Sequence, residues 1–283
     1  MEKNNNLKVF GIASGMAAEV YGAELGVWDL FYNNNTKLHF QKVLYPSINL
    51  GKLKAIPILA SLYKELHESL AEVYSLENKY LFFTGDHANG FGVWSGLLKV
   101  YQQDIGLIWV DAHLDSHTPE SSPTKNVHGM PIAHLLGYGS PLFTNLLSKK
   151  LKPENLAFIG TRSYEDDEIN LLHKLGVKIF FMKDITNVNH VFQEAVRHVT
   201  KNTNYFGVSL DIDSMDPVEM PATGCYTPNG LLLQDVVNNI KICSANKKFL
   251  ALELTEFNPL RDENRKTFKG ICHILNAYLS NFS

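Results

Sequence analysis

The stretch "GLIWVDAHLD", residues 106–115, passes from an unbroken apolar run into three acidic or imidazole side chains spaced two residues apart. An apolar run without polar alternation suits a parallel strand covered on both faces. Side chains at i, i+2 and i+4 of an extended segment share one face, so Asp111 and His113 can point the same way, and Asp115 joins them if the segment stays extended. The segment therefore predicts a buried strand that delivers polar groups at its carboxyl end.

The pattern recurs along the chain. "KVFGIAS" (8–14), "KYLFFTGD" (79–86), "LAFIGTRS" (156–163), "VKIFFMKD" (177–184), "YFGVSLDID" (205–213) and "FLALELTEF" (249–257) also read as strands. Helical patterns lie between them at 56–74, 91–103, 165–176, 191–200, 231–244 and 270–282. Such alternation implies right-handed crossovers, hence a parallel sheet with helices on both faces. No internal repeat, low-complexity tract or Pro/Gly-rich linker marks a boundary, so residues 1–283 read as one α/β domain.

Composition removes several function classes. Lys and Arg number 26 against 29 Asp and Glu, so there is no basic excess to attract nucleic acid. Three scattered cysteines cannot build a disulfide framework or a cysteine zinc site. The start "MEKNNNLKVF" lacks the apolar core of a signal peptide, and no apolar stretch is long enough to span a bilayer. A cytoplasmic protein with no membrane partner is expected.

The strand ends hold the chemistry. Asp86 and His87, then Asp111, His113 and Asp115, then Asp211 and Asp213, then Glu256 each follow an apolar run. Ligands of open parallel sheets bind beyond the carboxyl ends of the strands, so these residues are expected to converge. Crowded carboxylates raise one another's pKa, a conflict that divalent cations remove. Four carboxylates with two imidazoles suit two hard or borderline ions, manganese ahead of softer metals.

"GDHANG" (85–90), "DAHLDSHTPESSPTKNVHGMP" (111–131), "SLDIDSMDPVEMPATG" (209–224) and "LELTEFNP" (252–259) resemble, in order, the signature motifs of the ureohydrolases, the arginases and agmatinases. The glycine-rich "VYGAELGVWDL" (20–30) is similar to that family's first motif, and the resemblance spans about residues 9 to 260. It implies a three-layer α/β/α fold around a parallel sheet of about eight strands. It also implies two Mn2+ per chain and a homo-oligomer, trimeric or hexameric.

Carried over by motif, one ion is held by His87, Asp111, Asp115 and Asp211, the other by His113, Asp111, Asp211 and Asp213. Asp86 reads as a supporting carboxylate. Two such ions share a water and lower its pKa. The resulting hydroxide attacks a guanidinium carbon, and Asp115 helps stabilise the tetrahedral intermediate. His128 matches the family's proton-carrying histidine, and Glu256 the carboxylate that receives the guanidinium. His39, His67, His134, His173, His190, His198 and His273 are assigned no chemistry.

Substrate choice rests on the loop from His117 to Asn126. Arginases resemble "DxNTPxxxxSGNxHG" here, whereas this chain reads "DSHTPESSPTKNVHG". Asn126 matches, Thr124 replaces serine, Lys125 replaces glycine and His117 replaces asparagine. Hydrogen-bond donors are kept and positive charge is added, which suits a substrate with a carboxylate tail. Glu165 in "GTRSYEDD" stands, one methylene longer, where arginases place the aspartate for the α-ammonium. Cys225 and Tyr226 replace the usual Thr-Pro; Cys225 reads as a packing residue, with contact to the guanidinium-binding side of the pocket as the alternative.

The expected substrate is L-arginine, hydrolysed to urea and L-ornithine. The alternatives are guanidinobutyrase, guanidinopropionase, agmatinase or formimidoylglutamase activity. A relative without catalysis and a one-metal deacetylase of related fold are more distant alternatives.

Overall fold

The computed structural model describes residues 6–33 and 38–282, and the leader reading of residues 1–5 lies outside them. Eight strands form one sheet: β1 (Leu7–Ile12), β2 (Phe40–Leu44), β3 (Lys79–Thr84), β4 (Ile105–Val110), β5 (Leu156–Thr161), β6 (Lys178–Phe181), β7 (Tyr205–Asp211) and β8 (Phe249–Thr255). Their order is β2-β1-β3-β8-β7-β4-β5-β6, and every pairing is parallel. Helices α1 (Ala23–Asn33), α2 (Ile56–Glu72), α3 (Asn89–Tyr101), α4 (Pro131–Leu135), α5 (Pro141–Thr144), α6 (Asp166–Leu175), α7 (Val188–Val199), α8 (Leu233–Ser244) and α9 (Lys266–Leu279) complete the chain. The expected α/β/α layering is present. No helix among the described residues is long and apolar enough to cross a membrane.

Strand periodicity divides the core into two halves. Tyr80, Phe82 and Trp109 pack with Leu59 and Leu66 of α2 and with Phe91 and Trp94 of α3. Their neighbours Leu81, Phe83 and Val110 face the opposite layer, with Val27 of α1, Phe192 of α7, Ile240 of α8 and Ile274 of α9. Burial on both sides is why these strands carry few polar residues.

All seven strands read from apolar runs are present, but β2 was missed by that reading. Its sequence is FQKVL, with Gln41 and Lys42 exposed at the sheet edge. An edge strand needs no continuous apolar run, and a charged residue there guards against pairing with another chain. α1 shows no clear helical pattern in the sequence, because Gly22 and Gly26 interrupt the apolar residues there. Its buried residues Ala23, Gly26, Val27 and Leu30 nevertheless follow helical spacing. A Cβ on Gly26 would lie 2.1 Å from the carbonyl oxygen of Phe257, so glycine lets α1 lie against the chain leaving β8.

The four central strands, β3, β8, β7 and β4, are those whose ends carry the metal-capable side chains. The sheet order thus gathers at its middle what the sequence spreads over 170 residues, from Asp86 to Glu256.

Candidate metal centre and cleft

Beyond the central strands, His87 from the end of β3 meets carboxylates from β4 and β7. Its Nδ1 lies 3.0 Å from Asp111 Oδ2, 3.1 Å from Asp115 Oδ2 and 3.1 Å from Asp211 Oδ2. His113 Nδ1 lies 3.4 Å from Asp111 Oδ1 and 3.2 Å from Asp213 Oδ2. All six residues proposed as ligands are therefore brought together, with one Asp111 oxygen turned to each histidine. Adjacent ligands on an octahedral ion with bonds of about 2.1 Å stand about 3.0 Å apart, the spacing of the His87 set.

The bonding behind His87 fixes which nitrogen is bare. Ser209 Oγ donates its only proton to Glu253 Oε2 at 2.7 Å, so at 2.9 Å it can only accept from His87 Nε2. His87 Nδ1 then points a lone pair at three carboxylate oxygens, unless a proton occupies it. His87 Nδ1 and Asp115 Oδ2 are both buried without a hydrogen-bond partner. A cation between them resolves both vacancies in bonding at once. Glu253 also accepts from Trp94 Nε1 at 2.7 Å and Thr84 Oγ1 at 3.0 Å. Trp109 stacks on the His87 ring and donates to Asp111 Oδ2 at 2.9 Å.

Electrostatics support the same reading. Burial, then the charges of Asp213 and Asp111, push Asp211 well above the usual carboxylate range. Burial and the Asp111 charge raise Asp115 to about 6, and burial raises Asp213. Burial alone would depress the imidazoles of His87 and His113, but the surrounding carboxylates raise both well above normal. So many opposed shifts in one small volume mark carboxylates and imidazoles competing for protons, a conflict that divalent cations relieve. Asp115 (φ 49°) and Glu256 (φ 64°) adopt left-handed backbone conformations, strain of the kind that collects at functional sites.

Over this floor, Glu256 Oε1 accepts from the backbone N–H of His87 at 2.9 Å and lies 3.3 Å from His128 Nδ1. Burial pulls the His128 pKa down, but Glu256 outweighs it and raises the group to about 9. Asp86 stays out of the floor: it accepts from the backbone N–H groups of Ala17 and Ala88, the supporting place expected of it.

The floor opens into a cleft of about 310 Å³. Its rim contains His117, Thr124, Asn126 and Glu165, as expected, and among the described residues no lysine or arginine lines it. His117 Nε2 lies 3.1 Å from Glu165 Oε2, tying the loop to the start of α6. Lys125 departs from expectation. Its Nζ turns back on its own loop, donating to the carbonyls of Pro119 at 2.8 Å and Glu120 at 3.1 Å. The added positive charge is therefore spent on backbone oxygens, and Lys125 keeps the left-handed φ of 62° that suits the glycine it replaces.

Some site residues escaped the sequence reading. Glu168 is buried on the rim and forms a capping box with Glu165, accepting its backbone N–H at 3.1 Å. Burial and the hydrogen bond with Glu165 raise Glu168 to about 8. The acid-x-x-acid spacing at a helix start was the available signal. Cys225, for which the sequence leaves packing or pocket contact open, lines the cleft. Burial and the Glu256 charge push its thiol up to about 12.

A parallel sheet whose central strands end in a carboxylate–imidazole floor defines a metal-dependent hydrolase of the binuclear kind. The model of the arginase family matches residues 13–280, and the chain belongs to that family. It is 31% identical to the arginase of Bacillus caldovelox over 221 residues, covering 77% of this chain and 74% of that one. The arginase of Entamoeba histolytica, solved with L-ornithine, superposes with a TM-score of 0.87 at 25% identity, over 96% of this chain and 98% of that one. The formimidoylglutamase of Bacillus subtilis shares the fold, with a TM-score of 0.80 at 17% identity over 97% of this chain and 86% of that one.

Proposed function

We propose that the chain is a manganese-dependent amidinohydrolase that converts L-arginine to urea and L-ornithine. His87, Asp111, Asp115 and Asp211 would hold one ion, and His113, Asp111, Asp211 and Asp213 the other. The ions supply Lewis acidity and a nucleophile at neutral pH. The observation that carries the reading is His87 Nδ1, which faces three carboxylate oxygens at 3.0–3.1 Å in a buried floor.

The chain's own groups do the rest. Glu256 receives the guanidinium with a charge-assisted hydrogen bond, which orients the trigonal carbon over the floor. Asp115 accepts a hydrogen bond from the substrate as that carbon becomes tetrahedral. His128, its Nδ1 held towards Glu256, keeps Nε2 free to protonate the departing δ-nitrogen as the C–N bond breaks. Glu165 takes the α-ammonium and Thr124 and Asn126 offer donors to the α-carboxylate, while His117, bonded through Nε2 to Glu165 and through Nδ1 to Ser121, holds Glu165 in place on the rim. Asn126 Oδ1 is buried without a hydrogen-bond partner and, as an acceptor, would receive an N–H of the substrate rather than its carboxylate.

Urea release from L-arginine by manganese-loaded protein tests the reading, with Asp211→Asn and His128→Ala as controls. No urea across a range of pH and manganese concentration overturns it. A second reading, agmatine or a related guanidine lacking a carboxylate, draws on the rim itself: Glu19, Glu165 and Glu168 line it and, among the described residues, no lysine or arginine does. Preference for agmatine over L-arginine in the same assay would select it. Guanidinobutyrate, guanidinopropionate and formimidoylglutamate complete the panel. The trimer or hexamer implied by the family is read by light scattering.

A further inference from the structure

Two of the candidate ligands have a third neighbour that the motif assignment leaves out. The Sγ of Cys225 and one ligand atom each of His113 and Asp213 all lie within 4.8 Å of one another. Cys225 sits on the cleft wall, in a loop pinned on both sides. Arg261 Nη1 donates to the carbonyl of Thr223 at 3.2 Å, and Arg162 Nη2 donates to that of Thr227 at 2.7 Å. The thiol is thus held beside the floor by bonds that do not involve its own side chain. The adjoining His87 Nδ1 and Asp115 Oδ2, buried and unpartnered, independently point to a cation, and Asp111 joins that set to His113.

We infer that Cys225 is a ligand of the second ion, giving that position a sulfur donor beside His113 and Asp213. The inference rests on the proposal that the floor holds two ions, and it concerns only the His113 side. Thiolate is a soft ligand, so this position favours zinc or cobalt more strongly than one built from nitrogen and oxygen alone. The His87 set, with three carboxylates and an imidazole, keeps the harder preference. Binding deprotonates the thiol: the S–H bond breaks, the proton goes to solvent and the sulfur lone pair enters the metal–sulfur bond.

The other two cysteines serve as internal controls. Cys243 is buried in α8 and Cys272 lies on α9, and neither lines the cleft. The test uses the full chain loaded with Co2+, followed by its sulfur-to-cobalt charge-transfer absorption in the near ultraviolet. The band is expected in the native protein and in Cys272→Ser, and is lost in both Cys225→Ser and Cys225→Thr. Cobalt content, read by elemental analysis, stays near two per chain in all four. X-ray absorption of the zinc-loaded native protein should add a sulfur neighbour at about 2.3 Å that both Cys225 variants lack.

Two bound ions with no charge-transfer band and no sulfur neighbour would overturn the ligand role and leave the two-ion floor standing. Failure to retain any ion would overturn both. Thermal melting of the two variants separates loss of sulfur from loss of fold, and a band persisting in both folded variants also sinks the inference.

Discussion

The floor and the rim of the cleft are built by different rules. His87, Asp111, Asp211 and Asp213 are buried within three residues of the ends of β3, β4 and β7, so the pairing of these strands sets where each short segment starts. On the rim, the side chain of Glu165 is 61% exposed, and Lys125 is turned away altogether. Strand ends fix chemistry, because moving one ligand means moving the sheet. Loops fix selectivity, because a side chain can be exchanged without disturbing the scaffold. Floor substitutions should therefore abolish turnover or metal binding, whereas rim substitutions should change KM.

The severest test is Asp111→Asn, since Asp111 faces both histidines. Urea release should fall to background, and metal content should drop from two ions per chain. The thermal protection given by manganese should be lost with it, about 2.7 kcal/mol per site at a hundredfold excess over Kd. Retention of both ions by the folded variant would break the shared-carboxylate arrangement.

His128→Ala should leave the ions bound but lower kcat by about 10²–10⁴-fold, the usual contribution of a positioned proton donor. The Glu256 charge raises the His128 pKa to about 9, so the imidazolium persists below that pH and is lost as pH rises through it. The native rate should carry a falling limb on the alkaline side as the imidazolium is lost, and the residual rate of the alanine variant should lack it. An unchanged limb would take the proton-donor role away from His128.

Glu253→Gln acts one shell further out. The amide keeps the shape but removes the charge that Ser209, Trp94 and Thr84 all serve, so the Nε2 hydrogen bond that orients His87 weakens. Ion affinity should fall about 10–100-fold in a chelator competition, the range found for partners behind metal-bound histidines. Unchanged affinity would mean that packing against Trp109 alone holds the ring.

These two shells also mark how far the sequence could be read. The six candidate ligands stood out because each followed an apolar run, several at two-residue spacing, and order along the chain brought the resemblance. Ser209 and Glu253 were hidden inside strands. Only the pairing of β7 with β8, which sets Ser209 opposite Glu253, makes them partners, and residue spacing carries no such register. β2 was hidden for the converse reason, as an exposed edge has no apolar run to show. Along the rim, His117 and Glu165 were legible as departures from arginase, but where a loop lysine points depends on local backbone geometry.

Smaller effects belong to the rim. Glu165→Gln should raise KM for L-arginine about tenfold, in line with about 1.5–3 kcal/mol for a hydrogen bond to a charged group, with kcat little changed. Equal KM values for native and variant would remove the α-ammonium from Glu165 and favour a different guanidine.

The smallest effect separates side chain from backbone at Lys125. Alanine loses the two bonds from Nζ to the carbonyls of Pro119 and Glu120 yet keeps the left-handed φ of 62°, so it should destabilise the fold by about 1 kcal/mol. Glycine loses the same bonds but relieves a backbone strain of roughly 1 kcal/mol, so it should melt closer to the native protein. Neither substitution should change KM for L-arginine by more than about twofold, because the ammonium does not line the cleft. A tenfold rise in KM shared by both variants would mean that the lysine leaves its loop carbonyls to bind the substrate carboxylate. The division between a chemical floor and a rim without lysine or arginine would then have to be redrawn around that residue.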